Sequence, residues 1–171
     1  MPPKININKE QKNDKNYRYK MSEVMLKYEG QGNGQRTIFL NINEISQELS
    51  RDNESIILYL VTALGCKCIE NKEKQVVLYG THTNDSVQNA IYDYISNFVL
   101  CQKCKNPETQ YVNKGKGEIE MKCNACPEMS QLQLNKTNLK VIKLISFKLD
   151  EMEKLENKKK KQAEKQAENI T

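Results

Sequence analysis

The stretch CQKCKNPETQYVNKGKGEIEMKCNAC, residues 101–126, decides the fold of its region because it contains two Cys-x2-Cys pairs. Eighteen residues separate the pairs, and NKGKG at 113–117 suits the tip of a hairpin that would bring them together. Four thiolates in this arrangement are the ligands of a tetrahedral zinc site. The predicted ligands are Cys101, Cys104, Cys123 and Cys126. Such a site has no free coordination position, so a structural Zn²⁺ is expected.

Two other chemistries fit these cysteines less well. Disulfides persist in oxidising compartments, and no apolar segment near Met1 indicates export. A redox Cys-x2-Cys motif accounts for one pair and leaves the second unexplained. Cys66 and Cys68 lie one residue apart, too close together to join the four-cysteine site easily, and are expected to be incidental thiols.

Residues 100–135 contain few aliphatic side chains and are predicted to form a zinc ribbon, whereas residues 21–99 are predicted to form a small α/β domain. In that domain RTIFLNI, residues 36–42, predicts a strand. The next apolar residues are four apart and predict a helix, with Asn41 or Asn43 as its cap.

The rest of the α/β domain is predicted to be a helix, a hairpin and another helix. ESIILYLVTALG is a strongly apolar helix that Gly65 should end. CKCIE and QVVLYG flank a polar turn and predict the hairpin. Asn84 or Asp85 can cap the last helix. Its apolar stripe is Val87, Ile91, Tyr94, Ile95 and Phe98.

Residues 136–171 are predicted to form a helix that fades into a charged tail. Helical spacing begins at about Thr137, and the mixed-charge segment NKKKKQAEKQAENIT predicts a solvated helix face. The apolar positions of the helix are Leu139, Ile142, Ile145, Leu149, Met152 and Leu155.

Residues 1–20 are almost wholly polar and are predicted to form a flexible arm. In NYRYKM, residues 16–21, aromatic or apolar positions alternate with two cations, which is the period of a strand or an extended arm. One face would pack, and the other would present Arg18 and Lys20 to solvent. On the residues alone, the simplest interpretation of Arg18 is a solvated arginine on an edge strand.

Composition sets limits on the function. The chain of 171 residues is 37% hydrophobic and 29% charged and has a net charge of +5. Residues 1–36 hold eight Lys and Arg against four Asp and Glu, so an anionic partner such as RNA would be met near the N-terminus. No apolar run is long enough to span a membrane, so a soluble protein is expected.

The fold class that follows is α+β, a small α/β domain followed by a four-cysteine zinc ribbon and a C-terminal helical tail. His82 is the only histidine, and no Ser/His/Asp set, Walker motif or paired-carboxylate site accompanies it. A self-contained enzyme is therefore not expected.

Four segments resemble the N-terminal half of the translation initiation factor 5 family. They are YRYKM at 17–21, YEGQGNGQRT at 28–37, SNFVLCQKCKNPET at 96–109 and KCNAC at 122–126, in this order and at closely similar spacing. The resemblance covers roughly residues 7–135. The beta subunit of initiation factor 2 is similar in its α/β domain and zinc ribbon, but the first two segments favour factor 5.

The resemblance implies that the protein stimulates GTP hydrolysis by initiation factor 2, the GTPase that carries initiator tRNA on the small ribosomal subunit. It implies that Arg18 is an arginine finger supplied in trans. A guanidinium stays charged and offers a planar fork of donors, so it can neutralise charge that builds on phosphate oxygens. Tyr17 and Tyr19 would anchor the arm and leave Arg18 free to reach.

The resemblance also implies that a hairpin region contacts initiator tRNA near the anticodon. Its glycines would let the backbone approach RNA, and its cations can bind phosphate. Taken alone, GQGNG predicts only a tight turn. The tRNA- or partner-binding residues implied are Lys20, Lys27, Gly30, Gln31, Gly32, Asn33, Gly34 and Arg36. The expected partners are the gamma subunit of initiation factor 2, initiator tRNA and the small ribosomal subunit, for a cytoplasmic protein that is a monomer outside the complex.

Some positions depart from the family pattern. Asn16 stands where the family has an aromatic residue, Ser22 where it has a proline, and residues 58–61 lack a cation that is often present. The family also continues into a helical-repeat domain, where this sequence has its charged tail. Three hypotheses stay open. They are a GTPase activator, a ribosome- and tRNA-binding module that does not activate hydrolysis, and a component resembling the beta subunit.

Overall fold

The computed structural model describes residues 3–168, with side chains described up to residue 162. The strands are β1 (Lys4–Asn6), β2 (Lys20–Ser22), β3 (Leu26–Glu29), β4 (Arg36–Phe39), β5 (Cys68–Glu70), β6 (Val76–Tyr79), β7 (Thr109–Gly115), β8 (Glu118–Cys123) and β9 (Met129–Gln131). The helices are α1 (Ile42–Leu49), α2 (Asn53–Leu64), α3 (Asn84–Phe98) and α4 (Lys136–Glu168), with short 3-10 turns at Lys9–Gln11 and Gly32–Gly34. The fold class is the predicted α+β architecture.

A four-stranded antiparallel sheet in the order β3-β4-β6-β5 forms the centre of the α/β unit. Thr37 lies opposite Leu78 in the register, and Phe39 lies opposite Val76. These residues share one face because side chains alternate along a strand. That face packs into the core with residues of three helices, among them Ile45, Leu60 and Ile91. The other face is open to solvent around Lys27 and Tyr79.

Helix α1 begins at a residue that the sequence pattern assigns to the preceding strand. The strand ends at Phe39, and Ile42, which the sequence pattern places in the strand, is the first residue of α1. Asn41 occupies the cap position but makes no capping bond with its side chain. Its side-chain oxygen accepts from the backbone N–H of Met25 at 2.9 Å, and its amide donates to the carbonyl of Glu23 at 2.8 Å. Asn41 therefore fixes the chain that enters β3.

Helix α2 ends as predicted, at Gly65 in the left-handed conformation with a φ of 64°. The predicted caps of α3, Asn84 and Asp85, are wrong by one or two positions. Thr83 has the extended backbone of an N-cap, and its hydroxyl accepts from the N–H of Ser86 at 3.2 Å. Asn84 and Asp85 then fall in the first turn, where a carboxylate is favoured by the helix dipole.

The N-terminal segment is an ordered hairpin, whereas the composition predicts a flexible arm at 1–20. Strand β1 pairs antiparallel with β2. The side-chain amide of Asn6 donates to the carbonyl oxygens of Gln11 at 2.6 Å and Asp14 at 2.7 Å. Ile7 is 3% exposed and belongs to the main core. Local polar bonds and a few apolar anchors therefore order a segment whose average composition looks disordered.

Strands β7, β8 and β9 form a three-stranded antiparallel ribbon. The hairpin between β7 and β8 turns at Gly115 and Gly117, whose φ values of 81° and 83° favour glycine. Ile119 and Met121 are the buried apolar residues of β8, and both join the main core. The ribbon thus packs against the body of the protein.

Helix α4 packs through its first half on α2, β7 and β8. The buried residues of that half include Val141, Ile142 and Ile145. Three residues of the predicted apolar stripe, Leu139, Met152 and Leu155, are instead 41%, 58% and 59% exposed. Met152 and Leu155 lie where the helix extends past the surface that buries its first half. None of the described helices combines the length and apolarity needed to cross a membrane.

Candidate functional site

The four predicted metal ligands lie together at one end of the ribbon. The sulfur atoms of Cys101 and Cys126 are 3.6 Å apart, those of Cys104 and Cys123 are also 3.6 Å apart, and all four lie within 4.8 Å of one another. A tetrahedral zinc with Zn–S bonds of about 2.3 Å places its sulfurs about 3.8 Å apart. The four residues therefore form a cluster that can hold a metal ion, and their spacing fits zinc.

The thiols of the cluster differ in pKa. Burial raises the pKa of Cys101, but backbone N–H groups of Cys104 and Lys103 outweigh that effect and lower the pKa to about 7. Desolvation and hydrogen bonds with the three other sulfurs raise the pKa of Cys104 to about 12. A cation at the centre would favour the thiolate form of all four groups, so metal binding would release protons.

Arg18 lies between two tyrosines that are half-buried, while its own side chain is exposed. The rings of Tyr17 and Tyr19 meet edge to face with centroids 5.9 Å apart. The guanidinium carbon of Arg18 is 5.7 Å from the centroid of the Tyr19 ring, within cation–π range. Within residues 3–162, no carboxylate forms an ion pair with Arg18. The guanidinium is thus available to an external anion.

Tyr19 connects the N-terminal hairpin to the ribbon. Its hydroxyl donates to the carboxylate of Glu108, which lies between Cys104 and the start of β7. This hydrogen bond is the largest effect on the Tyr19 hydroxyl and raises its pKa. The hydroxyl of Tyr17 is buried and has no hydrogen-bond partner in the described part of the chain, and burial raises its pKa. Both tyrosines therefore hold the backbone on either side of Arg18.

The predicted tRNA-binding loop is the turn between β3 and β4. Gly30 has a φ of 88°, and a Cβ there would lie 2.2 Å from the carbonyl oxygen of Gly34, so only glycine fits. The 3-10 turn at Gly32–Gly34 is exposed together with Gln31 and Asn33. The glycines therefore leave backbone exposed to solvent beside the side chains of Gln31 and Asn33.

The predicted cations of this loop lie on the open face of the sheet. Lys27 is exposed and forms an ion pair with Glu29 at 2.8 Å. The guanidinium carbon of Arg36 lies 5.3 Å from the ring centroid of Tyr79. Lys20, on β2, is exposed on a different sheet. Within residues 3–162, no hydrogen bond or ion pair links Arg18 to Lys27 or Arg36, which lie on a different sheet from Lys20.

Sequence reasoning missed Arg51, which joins the α/β unit to the ribbon. Its Nε donates to the carbonyl of Phe98 at 3.0 Å and to the Tyr111 hydroxyl at 3.1 Å. Its Nη2 donates to the carbonyl and hydroxyl of Thr109 at 3.1 Å and 2.7 Å. The guanidinium carbon also lies 4.6 Å from the ring centroid of Tyr111. Nothing in the local sequence distinguishes Arg51 from a surface arginine.

Comparisons with known proteins give one consistent result. A family model for a domain found in initiation factors 2B and 5 matches residues 8–129. Eukaryotic translation initiation factor 5 of Dictyostelium discoideum is 39% identical over 122 residues, which is 71% of this chain and 30% of that protein.

Two further relatives carry the same name. The protein of Saccharomyces cerevisiae is 34% identical over 119 residues, 69% of this chain and 29% of its own length. The protein of Mus musculus is 34% identical over 124 residues, 71% of this chain and 29% of its own length. The chain therefore spans about 30% of the length of the curated relatives that it matches.

Proposed function

The chain belongs to the translation initiation factor 5 family, through the domain found in initiation factors 2B and 5, and on that premise we propose that it is a translation initiation factor. In this role it stimulates GTP hydrolysis by initiation factor 2 in the start-codon-recognising complex on the small ribosomal subunit. It supplies one group to another protein's active site and is not itself an enzyme. A factor with this role works in the cytoplasm.

The observation that carries the proposal is the exposed guanidinium of Arg18 between two half-buried tyrosines, which forms no ion pair with any side chain of residues 3–162. A GTPase develops charge on its phosphate oxygens in the transition state, and an arginine delivered in trans stabilises that charge. Fingers of this kind contribute on the order of 10³–10⁵ in rate. A side chain already engaged by a carboxylate in its own protein would have to break that pair first.

Anchoring of the backbone on both sides of Arg18 supports the same role. Tyr17 packs its ring against the core, and Tyr19 donates to Glu108 of the ribbon. Fixing both neighbours reduces the conformational freedom that Arg18 must lose when it enters a partner's site. The ribbon therefore helps to position the finger, even though the proposed zinc ion does no chemistry.

We propose Zn²⁺ as the ion of the four-cysteine cluster. Cys101, Cys104, Cys123 and Cys126 would hold it. Their sulfur spacing and the all-thiolate donor set both suit zinc, and four protein ligands leave no position for substrate. The ion would stabilise the ribbon, which has little apolar surface of its own.

The turn between β3 and β4 is proposed to contact initiator tRNA. Its glycine backbone can approach a phosphate or ribose closely, and Lys27 and Arg36 stand beside it as cations. Both cations have weak exposed partners, an ion pair with Glu29 and a ring contact with Tyr79, which RNA phosphate could replace.

The proposal is tested by single-turnover GTP hydrolysis in reconstituted initiation complexes. The full chain is compared with Arg18→Ala and with Lys15→Ala, which removes the same charge from an exposed position three residues away. The proposal predicts that Arg18→Ala lowers the rate by about 10³ or more while Lys15→Ala leaves it nearly unchanged. Association with the complexes is measured in the same samples.

Two outcomes correspond to the other hypotheses. Association without stimulation by any of the three proteins would identify a ribosome- and tRNA-binding module that does not activate hydrolysis. A stable complex with the gamma subunit of initiation factor 2 in the absence of ribosomes would indicate a role like that of the beta subunit. The first result would overturn the activator role of Arg18, as would a gamma complex whose GTP hydrolysis does not change with Arg18→Ala.

A further inference from the structure

One face of α4 carries lysines at regular helical intervals. We call this set the lysine stripe, and its members are Lys136, Lys140, Lys143, Lys154, Lys158 and Lys161. All six are exposed. Their spacings are three or four residues, and the one gap of eleven residues is close to three full turns, so they lie on one side of the helix. Phe147 lies on the same side, in that gap, and is 59% exposed.

The stripe faces away from the body of the protein. The buried side of α4 is formed by Asn138, Val141, Ile142 and Ile145. These residues lie at helical positions roughly opposite the lysine stripe. The stripe therefore faces solvent along both the packed half of the helix and the half that extends beyond the body.

The stripe lacks acidic partners among the described residues. Among the lysines of α4 up to residue 162, the one that forms ion pairs is Lys148, with Asp52 at 2.6 Å and Glu54 at 2.7 Å, and it lies outside the stripe. Asp150 interrupts the basic face, but its carboxylate accepts a hydrogen bond from Asn113 at 2.7 Å. Glu151 is the other acidic residue beside Phe147.

A solvated helix face usually mixes charges, because like charges three or four residues apart repel and destabilise the helix. Residues 136–162 hold nine lysines against four acidic residues, and six of those lysines are gathered in the stripe. An anionic partner would remove this repulsion. The stripe extends over about 38 Å of helix as two groups of three lysines, which suits a long polyanion better than a single anionic group.

We propose that the lysine stripe binds single-stranded RNA, with its phosphates on the lysines and one unpaired base stacked on Phe147. Grooves for single strands combine a basic track with an aromatic platform, which is the combination on this face. An acidic protein segment would use the cations but would gain little from an exposed ring between them. The choice of RNA as the nucleic acid rests on the proposed function.

The run of four lysines at 158–161 provides a matched test. Lys158→Gln with Lys161→Gln removes two charges from the stripe, and Lys159→Gln with Lys160→Gln removes two charges from the other sides of the same turn. The two variants have the same composition and net charge. Binding of the full chain to an unstructured single-stranded RNA is measured by fluorescence anisotropy across a range of salt concentrations. No GTPase is present, so failure here leaves the role of Arg18 untouched.

The stripe variant should bind on the order of tenfold more weakly and lower the log–log salt slope by about 1.4, since each phosphate contact on a single strand contributes about 0.7. The off-stripe variant should change affinity by about twofold at most. Phe147→Leu keeps an apolar side chain but removes the ring. It should weaken binding at least about fivefold without altering the salt slope.

Three results would overturn the proposal. Equal losses in the two lysine variants would mean that net charge, and not the stripe, determines binding. If duplex RNA bound as tightly as the single strand and Phe147→Leu did not change the affinity, the ligand would not be single-stranded RNA. Binding to polyglutamate in preference to RNA would identify an acidic protein as the partner.

Discussion

The α/β unit and the ribbon are held together by different physical forces. The α/β unit buries large apolar side chains completely, including Phe39, Ile56, Leu60, Tyr94 and Phe98. Among the described residues of the ribbon strands, Ile119 and Met121 are buried in the core and Tyr111 is partly buried against it, while four thiols cluster at the end of the ribbon. The stability of the α/β unit should therefore fall most when a cavity is made in its core. The stability of the ribbon should fall most when the metal is lost.

The two regions share the apolar core through Ile119 and Met121, and a few polar contacts also join them. Arg51 binds Thr109 and Tyr111 of the ribbon, and Tyr19 of the N-terminal hairpin binds Glu108. Tyr19 is next to Arg18. Unfolding of the ribbon would therefore remove the hydrogen bond from Tyr19 to Glu108 that helps to hold the proposed finger. The contact between the two regions therefore affects the proposed function as well as stability.

The largest effect is expected from Cys104→Ser, which should abolish tight zinc binding and unfold the ribbon. Structural zinc contributes about 10–16 kcal/mol of apparent binding free energy in small zinc domains at neutral pH. Amides of β7 and β8 should lose protection from hydrogen exchange, while those of α2 and α3 keep theirs. Cys66→Ser, which changes a thiol outside the cluster, is the control and should retain one zinc per chain. Simultaneous loss of protection in both regions would contradict the division.

The opposite perturbation is Leu60→Ala, a cavity in the α/β core. Leu60 is completely buried, and such truncations cost about 2–5 kcal/mol of unfolding free energy. Chemical denaturation of the zinc-loaded protein should show this loss, and the zinc content should not change. Leu155→Ala, at a leucine 59% exposed, should alter stability by no more than about 0.5 kcal/mol. Zinc release from Leu60→Ala under native conditions would show that the core holds the metal site.

Arg51→Lys should weaken the junction without damaging either region. A lysine cannot reproduce the bonds from Nε and Nη2 to Phe98 and Thr109, so a loss of about 2 kcal/mol is expected. Calorimetry should then separate one unfolding transition into two. The matched control is Arg36→Lys, because Arg36 is exposed and lies beside Tyr79. A single transition with unchanged Tm would mean that Arg51 does not couple the regions.

The smallest structural effect is expected from Tyr19→Phe, which removes only the hydroxyl that binds Glu108. Hydrogen exchange of β1 and β2 should accelerate a few-fold. Because this bond raises the pKa of Tyr19, its contribution is present below the ordinary tyrosine pKa of 10.0 and is lost as pH rises through the higher folded value. The wild type should therefore approach the variant in strongly alkaline solution. Identical exchange in both proteins at neutral pH would show that the bond does not restrain the hairpin.

The sequence predicts best what depends on local pattern. The helix stop at Gly65 and the clustering of the four cysteines are confirmed, because each follows from a short motif with a single physical meaning. The caps of α3 differ because threonine, asparagine and aspartate are all good caps and stand side by side at 83–85. The ordered N-terminal hairpin was missed because its stability comes from Asn6 bonding backbone carbonyls several residues away.

In the candidate site too, features with a local sequence signal could be predicted and contacts between distant residues could not. The exposure of Arg18 between packed tyrosines could be predicted from the two-residue alternation of its segment. Tyr19 and Glu108 meet across 89 residues of sequence, and Arg51 and Thr109 across 58, so neither contact has a local signal. The lysine stripe is readable from spacing, but only the packing of α4 shows which side faces solvent.

The proposed arginine finger is tested most directly by single-turnover GTP hydrolysis by initiation factor 2 with Arg18→Lys, which keeps the charge but loses the planar fork of donors. Hydrolysis is measured in reconstituted initiation complexes beside the wild-type chain. With an arginine finger at position 18, hydrolysis should be fast with the wild type and collapse with Arg18→Lys, while both proteins associate with the complexes equally. Equal stimulation by the two proteins, or none by either with association intact, would contradict an arginine finger at this position.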